Sequence, residues 1–281
     1  MLNAQQLLVD GFIAQSEATY QKMYSEMHVE YRNIISWCSR LALENIGNTD
    51  ALYHNLEHTV LVTLAGQSIL EGKHRLEGGV SPQDWMQATI ALLCHDIGYV
   101  RGICKLDETG QIATGKGDEV VELPAGATDA SLTPYHVDRS KLFVQERFGG
   151  PMLNGMEGQV DAEKIAEYIE FTRFPPKDDE QYKDTKGFGG LVRAADFVGQ
   201  LGDPGYMRKV PSLYYEFEEI DANKNFGYTS PGDMRKGYAS FFWNVVSPYI
   251  QDALRYLRVT EEGKQWISSL QAHVFEAEHA E

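Results

Sequence analysis

Two short stretches of this chain carry residue types and spacings that could hold a metal ion. The first is Tyr53-His54-Asn55-Leu56-Glu57-His58 and the second Cys94-His95-Asp96-Ile97-Gly98, with a later acidic position in Ala194-Ala195-Asp196. His54 and His58 are four residues apart, so on a helix starting near 54 both imidazoles share one face and point into one site. Adjacent residues cannot share a face in mid-helix, but at a helix end the backbone can turn and present both His95 and Asp96. A lone histidine is more often a hydrogen-bonded core residue than a ligand. Here two i,i+4 histidines, an HD pair behind the apolar Ala91-Leu92-Leu93-Cys94, and Asp196 together point to a metal site. Nitrogen and carboxylate donors suit zinc, manganese and iron, and an oxygen-rich position suits magnesium.

The order H…HD…D resembles the signature of the HD superfamily of metal-dependent phosphohydrolases, and YHNxxH is similar to the motif of class I cyclic nucleotide phosphodiesterases. The likeness extends loosely over residues 50–255. Thr172 follows Ile169-Glu170-Phe171 much as a threonine precedes that family's last ligand helix, and Ala195-Asp196 with Pro204 looks like its ADxxxP segment. Phe241 lies seven residues before Pro248, the spacing of the family's substrate-stacking phenylalanine. Carried over residue by residue, the resemblance implies His58, His95, Asp96 and Asp196 as ligands of a first metal. Asp96 would bridge to a second, and His54 would be the general acid. Two divalent cations that share a water lower its pKa and clamp a phosphoryl oxygen, and a histidine can protonate the departing alkoxide near neutral pH. The implied function is hydrolysis of a phosphate ester, a phosphodiester or a nucleotide.

Two departures from the family bear on the substrate. Tyr99 stands where the phosphodiesterases have another histidine, and Tyr238, ten residues before Pro248, where they have the glutamine that grips the purine. Gln200 could supply an amide instead or simply cap a helix. His136, the only histidine between the HD pair and Asp196, is a candidate second-metal ligand or phosphate contact. Arg139 and Arg193 are each either a bidentate phosphate contact or half of an ion pair. His28, His74, His273 and His279 have no partner pattern.

Apolar residues recur at helical spacing over most of the chain, so the elements that must position these groups are helices. They are expected near 3–26, 28–46, 54–72, 82–97, 134–148, 161–173, 190–201, 205–220, 233–257 and 260–277. Ser81-Pro82 and Thr133-Pro134 each place a capping hydroxyl before a proline at the first helical position. The fold class is all-α, an HD-type helical bundle in one domain over 1–281, with its metal-binding core at about 50–255. Helices in 1–49 and 260–281 pack on that core. Residues 100–132 are rich in glycine and acidic residues, with a strand-like EVVEL at 119–123, and are a candidate lid over the pocket. Residues 175–190 join two helices. TGKGDE at 114–119 lacks the pattern and context of a phosphate loop.

Composition limits the partners. A formal charge of −16 repels a nucleic-acid backbone, so the expected partner is a small phosphorylated molecule rather than a polymeric nucleic acid. No apolar run is long enough to span a membrane, and the start lacks a basic, cleavable leader. Cys38, Cys94 and Cys104 form an odd, scattered set without a CxxC pair, so they read as reduced thiols and the protein as cytoplasmic. Two other functions share the ligand pattern. A di-iron oxygenase of the HD type brings two further histidines where this chain has only His136. A non-catalytic metal- or nucleotide-binding module has no need of a proton donor at His54.

Overall fold

The computed structural model describes residues 3–150 and 159–279. The fold is mainly helical. In chain order the first half contains α1 (Ala4–Tyr24), α2 (Val29–Ile46), α3 (Leu56–Glu77), α4 (Pro82–Cys94), the two-residue strands β1 (Ile112–Ala113) and β2 (Val120–Val121), and α5 (His136–Phe148). The second half contains α6 (Ala162–Glu170), α7 (Phe188–Leu201), α8 (Tyr206–Glu219), α9 (Ala222–Phe226), α10 (Pro231–Lys236), α11 (Tyr238–Phe241), α12 (Ser247–Leu257) and α13 (Glu261–His279). The helix expected near 260–277 is α13, and of the segment 260–281 the last two residues lie outside the described range. Among the described residues no helix is long and apolar enough to cross a membrane.

The central pair is α3 and α7, buried between α4, α6 and α12. The two axes come close because Gly199 has no side chain. A Cβ there would lie 2.5 Å from the Val62 Cα and 2.8 Å from its nitrogen. His58 is one turn before Val62 and Asp196 one turn before Gly199, so this close approach sets the separation of two candidate ligands.

Several element boundaries differ from those expected. α3 starts at Leu56 because Asn55 caps it, its side chain accepting from the Glu57 and His58 amides at 3.0 and 3.3 Å. His54 therefore precedes the helix and does not share a helical face with His58. The Ser81-Pro82 start holds, with a full capping box closed by Asp84. Thr133-Pro134 starts no helix: the Thr133 hydroxyl donates back to the Ala130 carbonyl at 2.6 Å, closing the 3-10 turn Asp129–Leu132, and α5 begins at His136. The helix expected over 233–257 is interrupted at Gly237 and again by a π turn, Phe242–Val246. Pro248 cannot donate to the carbonyl one turn back, and the widened turn ahead of it relieves that conflict.

Residues 100–132 do not cover the pocket, and none of them lines it. Arg139, fully buried on α5, holds the segment down. It pairs with Asp107 at 2.9 Å and donates to the carbonyls of Gly98, Val100 and Ala113 at 2.6, 2.8 and 2.6 Å. Arg101 adds an ion pair to Asp129. The strands pair Ile112 with Val121, and Ile112 and Leu132 pack under Tyr99. The segment buttresses one wall of the site from behind.

Candidate metal centre

Four buried or nearly buried side chains converge where α3, α4 and α7 meet. His58 Nε2 lies 3.2 Å from Asp96 Oδ2 and 3.6 Å from Asp196 Oδ1; His95 Nε2 lies 3.1 and 3.7 Å from the same two oxygens. Despite this proximity, His58 Nε2, His95 Nε2 and Asp96 Oδ2 are buried without a hydrogen-bond partner. Orphaned polar atoms in a dry site are costly unless something else binds them. Donors at about 2.0–2.1 Å from a tetrahedral ion lie about 3.3–3.4 Å apart. These side chains could therefore hold a metal ion.

Local structure explains the convergence. α4 ends at Cys94, His95 keeps helical dihedrals, and Asp96 turns away at φ −110°, ψ 4°, so consecutive side chains reach one point. His95 Nδ1 donates to the Leu92 carbonyl at 2.7 Å, which leaves the Nε2 lone pair facing the aspartates. The turn after Asp96 is fastened to α5. Gly98 N donates to Ser140 Oγ, which donates to the His95 carbonyl, and a Cβ on Gly98 would lie 2.0 Å from the His136 carbonyl oxygen. That contact brings His136 to the site, with Nδ1 donating to the Thr133 carbonyl at 2.6 Å and Nε2 3.7 Å from Asp96 Oδ1. His136 is thus placed as a possible ligand beside the second oxygen of Asp96.

His54 is held by a residue that local sequence reasoning does not find. Glu216 of α8 accepts His54 Nδ1–H at 2.5 Å and the Tyr53 and His54 backbone amides at 2.6 and 3.2 Å. One His54 nitrogen still lies within 4.8 Å of donor atoms of His58 and Asp96. Burial disfavours the charged imidazole, but Glu216, with Asp96 and Asp196 behind it, raises the His54 pKa to about 9. Burial pushes His136 the other way, to about 4, against the pull of Asp96. Burial also raises the Asp196 carboxyl, whereas His95 and His58 overcome burial at Asp96 and hold it well below the usual range.

Tyr99 is sandwiched between the two outer histidines, its ring 4.7 Å from His54 and 4.6 Å from His136 and nearly parallel to both. It lines the cleft and also sets the planes of both imidazoles. Thr172, Gln200, Tyr238 and Phe241 line the same cleft, which encloses about 1050 Å³, part of it open to solvent. Thr172 donates to the Ile169 carbonyl at 2.8 Å, and the Tyr238 hydroxyl donates to the Leu201 carbonyl at 3.3 Å. Neither arginine considered for phosphate reaches the cleft. Arg139 is committed as described, and Arg193 donates to the Tyr182 and Asp184 carbonyls while lying 4.1 Å over the Tyr249 ring.

Fold and site together define a mainly helical protein with a buried histidine–aspartate cluster at the base of an aromatic cleft. The family described as Npun_R2479-like matches residues 2–280, and the chain belongs to that family. No curated protein matches it.

Proposed function

We propose that this protein is a metal-dependent phosphohydrolase of the HD type, acting on a small phosphate ester. The observation that carries the reading is the set of orphaned donor atoms on His58, His95 and Asp96, facing Asp196 at the base of a cleft that His54 also lines. His58, His95, Asp96 and Asp196 would hold one divalent cation, and Asp96 with His136 a second. When bound, such cations supply positive charge for a phosphoryl group and acidify water. Zinc, manganese, iron and magnesium all fit this mixed donor set.

The chain's own residues account for the proton. A protonated imidazole has no lone pair for a metal, so Glu216, by favouring the cation, reserves His54 for proton donation. With Nδ1 given to Glu216, Nε2 is the nitrogen left to protonate a departing alkoxide. The aromatic stack through Tyr99 keeps the ring from swinging. Oxygen activation by a di-iron pair is the second reading, for which His136 beside Asp96 supplies one of the two further histidines.

Metal analysis and assay of the purified protein and its variants test the reading. Asp96→Ala should lose both metal and turnover of bis(p-nitrophenyl) phosphate. His58→Ala should lose metal, whereas His54→Ala should keep it. Full metal content and activity in Asp96→Ala would sink the proposal. Substrate-dependent oxygen uptake by the iron form, without phosphate-ester cleavage, would replace it with the second reading.

A further inference from the structure

The cleft has two chemically different ends. Polar donors cluster at its base, while its outer wall is formed by Phe174, Phe217, Phe226, Tyr228, Tyr238 and Phe241. Five of these rings form a continuous row: Phe241 to Phe174 at 6.0 Å, Phe174 to Phe226 at 6.5 Å, and Phe226 to Phe217 and Tyr228 at 5.9 and 6.0 Å. Phe174 and Phe226 are 39% and 46% exposed, so large apolar rings stand in water at the mouth. Among the described residues no lysine or arginine lines the cleft. Arg173, next to Phe174 in sequence, is tied to Glu170 and Asp138, and Arg235, next to Met234, donates to the Met207 carbonyl. Of the wall's polar groups, the Tyr238 hydroxyl is given to the Leu201 carbonyl at 3.3 Å.

On the hydrolase reading above, we propose that the substrate is a phosphate ester charged only at the reacting phosphate, whose organic group is aromatic or otherwise apolar. A second negative charge would lose its water against these rings and meet no cation in return. A polyol would likewise exchange water for ring faces along this wall, and an unmatched polar group is a strong source of discrimination. A flat apolar group exchanges water for ring faces and gains on both counts.

The test compares three phosphodiesters as ligands of the zinc-loaded protein by calorimetry: methyl phenyl and methyl glyceryl phosphate, charged only at the phosphate, and methyl 4-carboxyphenyl phosphate, whose carboxylate adds a second negative charge. The phenyl ester should bind at least about tenfold more tightly than either of the others, the scale expected for one well-packed ring. Phe226→Ser should narrow that gap, and Phe226→Arg, which puts a cation at the half-exposed mouth, should shift preference toward the carboxyphenyl ester. Equal or tighter binding of the glyceryl or carboxyphenyl ester to the unaltered protein, or binding of none of the three, overturns the inference. Turnover of bis(p-nitrophenyl) phosphate is measured separately. Phenyl preference without turnover removes the hydrolase reading and leaves the apolar specificity standing, whereas turnover without phenyl preference does the reverse.

Discussion

A buried glutamate that grips a histidine and the two backbone amides beside it does more than fill a hydrogen-bonding requirement. Glu216 fixes the tautomer, the ring plane and the charge of His54 at once, because a carboxylate can only accept. On the proposed chemistry, Glu216→Gln should keep metal content unchanged but weaken the acid. General-acid help amounts to about 10²–10⁴-fold, and only where the leaving alkoxide needs a proton. Hydrolysis of alkyl esters should therefore fall by about 10²-fold or more, while nitrophenyl esters lose little. Equal losses on both, measured as kcat/KM, would make Glu216 a packing residue and remove the acid role from His54. The convergence of His58, His95, Asp96 and Asp196 was legible from sequence because these are residue types that can bind a metal and because His95 and Asp96 are adjacent at a helix end. Glu216 was not: it acts 162 residues away from His54 and is one of 41 acidic residues with nothing local to mark it. Arg139 stayed open between a phosphate contact and an ion pair for a related reason, since the same guanidinium fork suits either and only the fold, which pairs it with Asp107, decides which.

At the scale of elements, helical periodicity located most of the helices, but their ends and interruptions depended on caps and packing. The Asn55 cap placed His54 outside α3, so the two histidines meet through a loop docked on α8, their rings 5.4 Å apart. Periodicity also could not reveal that α3 and α7 touch at Gly199, which is a property of two helices at once. Two glycine-to-alanine changes should accordingly have opposite signs. Gly199→Ala drives a methyl into the Val62 backbone, and overpacking of this kind costs about 1–3 kcal/mol. Gly11 is an exposed interior position of α1 with nothing within 4 Å of an added Cβ, so Gly11→Ala should stabilise by about 0.5–1 kcal/mol. Thermal melts should thus show a lower Tm for the first and a slightly higher Tm for the second. On the proposed metal reading, Gly199→Ala should also weaken zinc binding, since it spreads His58 from Asp196, and Gly11→Ala should not. A Gly199→Ala protein with unchanged Tm would mean that the helix contact does not set the site's spacing.

Over the whole molecule, a net charge of −16 means that acidification first relieves self-repulsion, so simple acid sensitivity cannot be read from charge alone. One network runs against that trend. Glu170, at the end of α6, accepts from Arg173 at 2.6 and 2.9 Å and pairs with Lys141 of α5 at 2.5 Å and Lys177 at 2.7 Å, and Asp138 shares two of these cations. Burial raises its pKa, but Arg173, Lys141 and Lys177 outweigh burial and hold it at about 2, below the ordinary 4.5. A carboxyl whose folded pKa is depressed binds its proton more readily when unfolded. Its contribution is therefore fully present above about pH 5 and disappears as pH falls from the unfolded value of 4.5 to the folded value of about 2. The three cations are 24–41% exposed, so solvent screening reduces the contribution to about 1–2 kcal/mol. Comparing Glu170→Gln with the unaltered protein separates this from the general relief of repulsion, which both share. Urea unfolding should show the variant less stable by about 1–2 kcal/mol at pH 7, with the difference shrinking below pH 5 and nearly gone at pH 2. A difference that stays constant from pH 7 to pH 2 would assign the effect to the shape of the side chain rather than to its charge, and the ion network would then not be what ties α5 to α6.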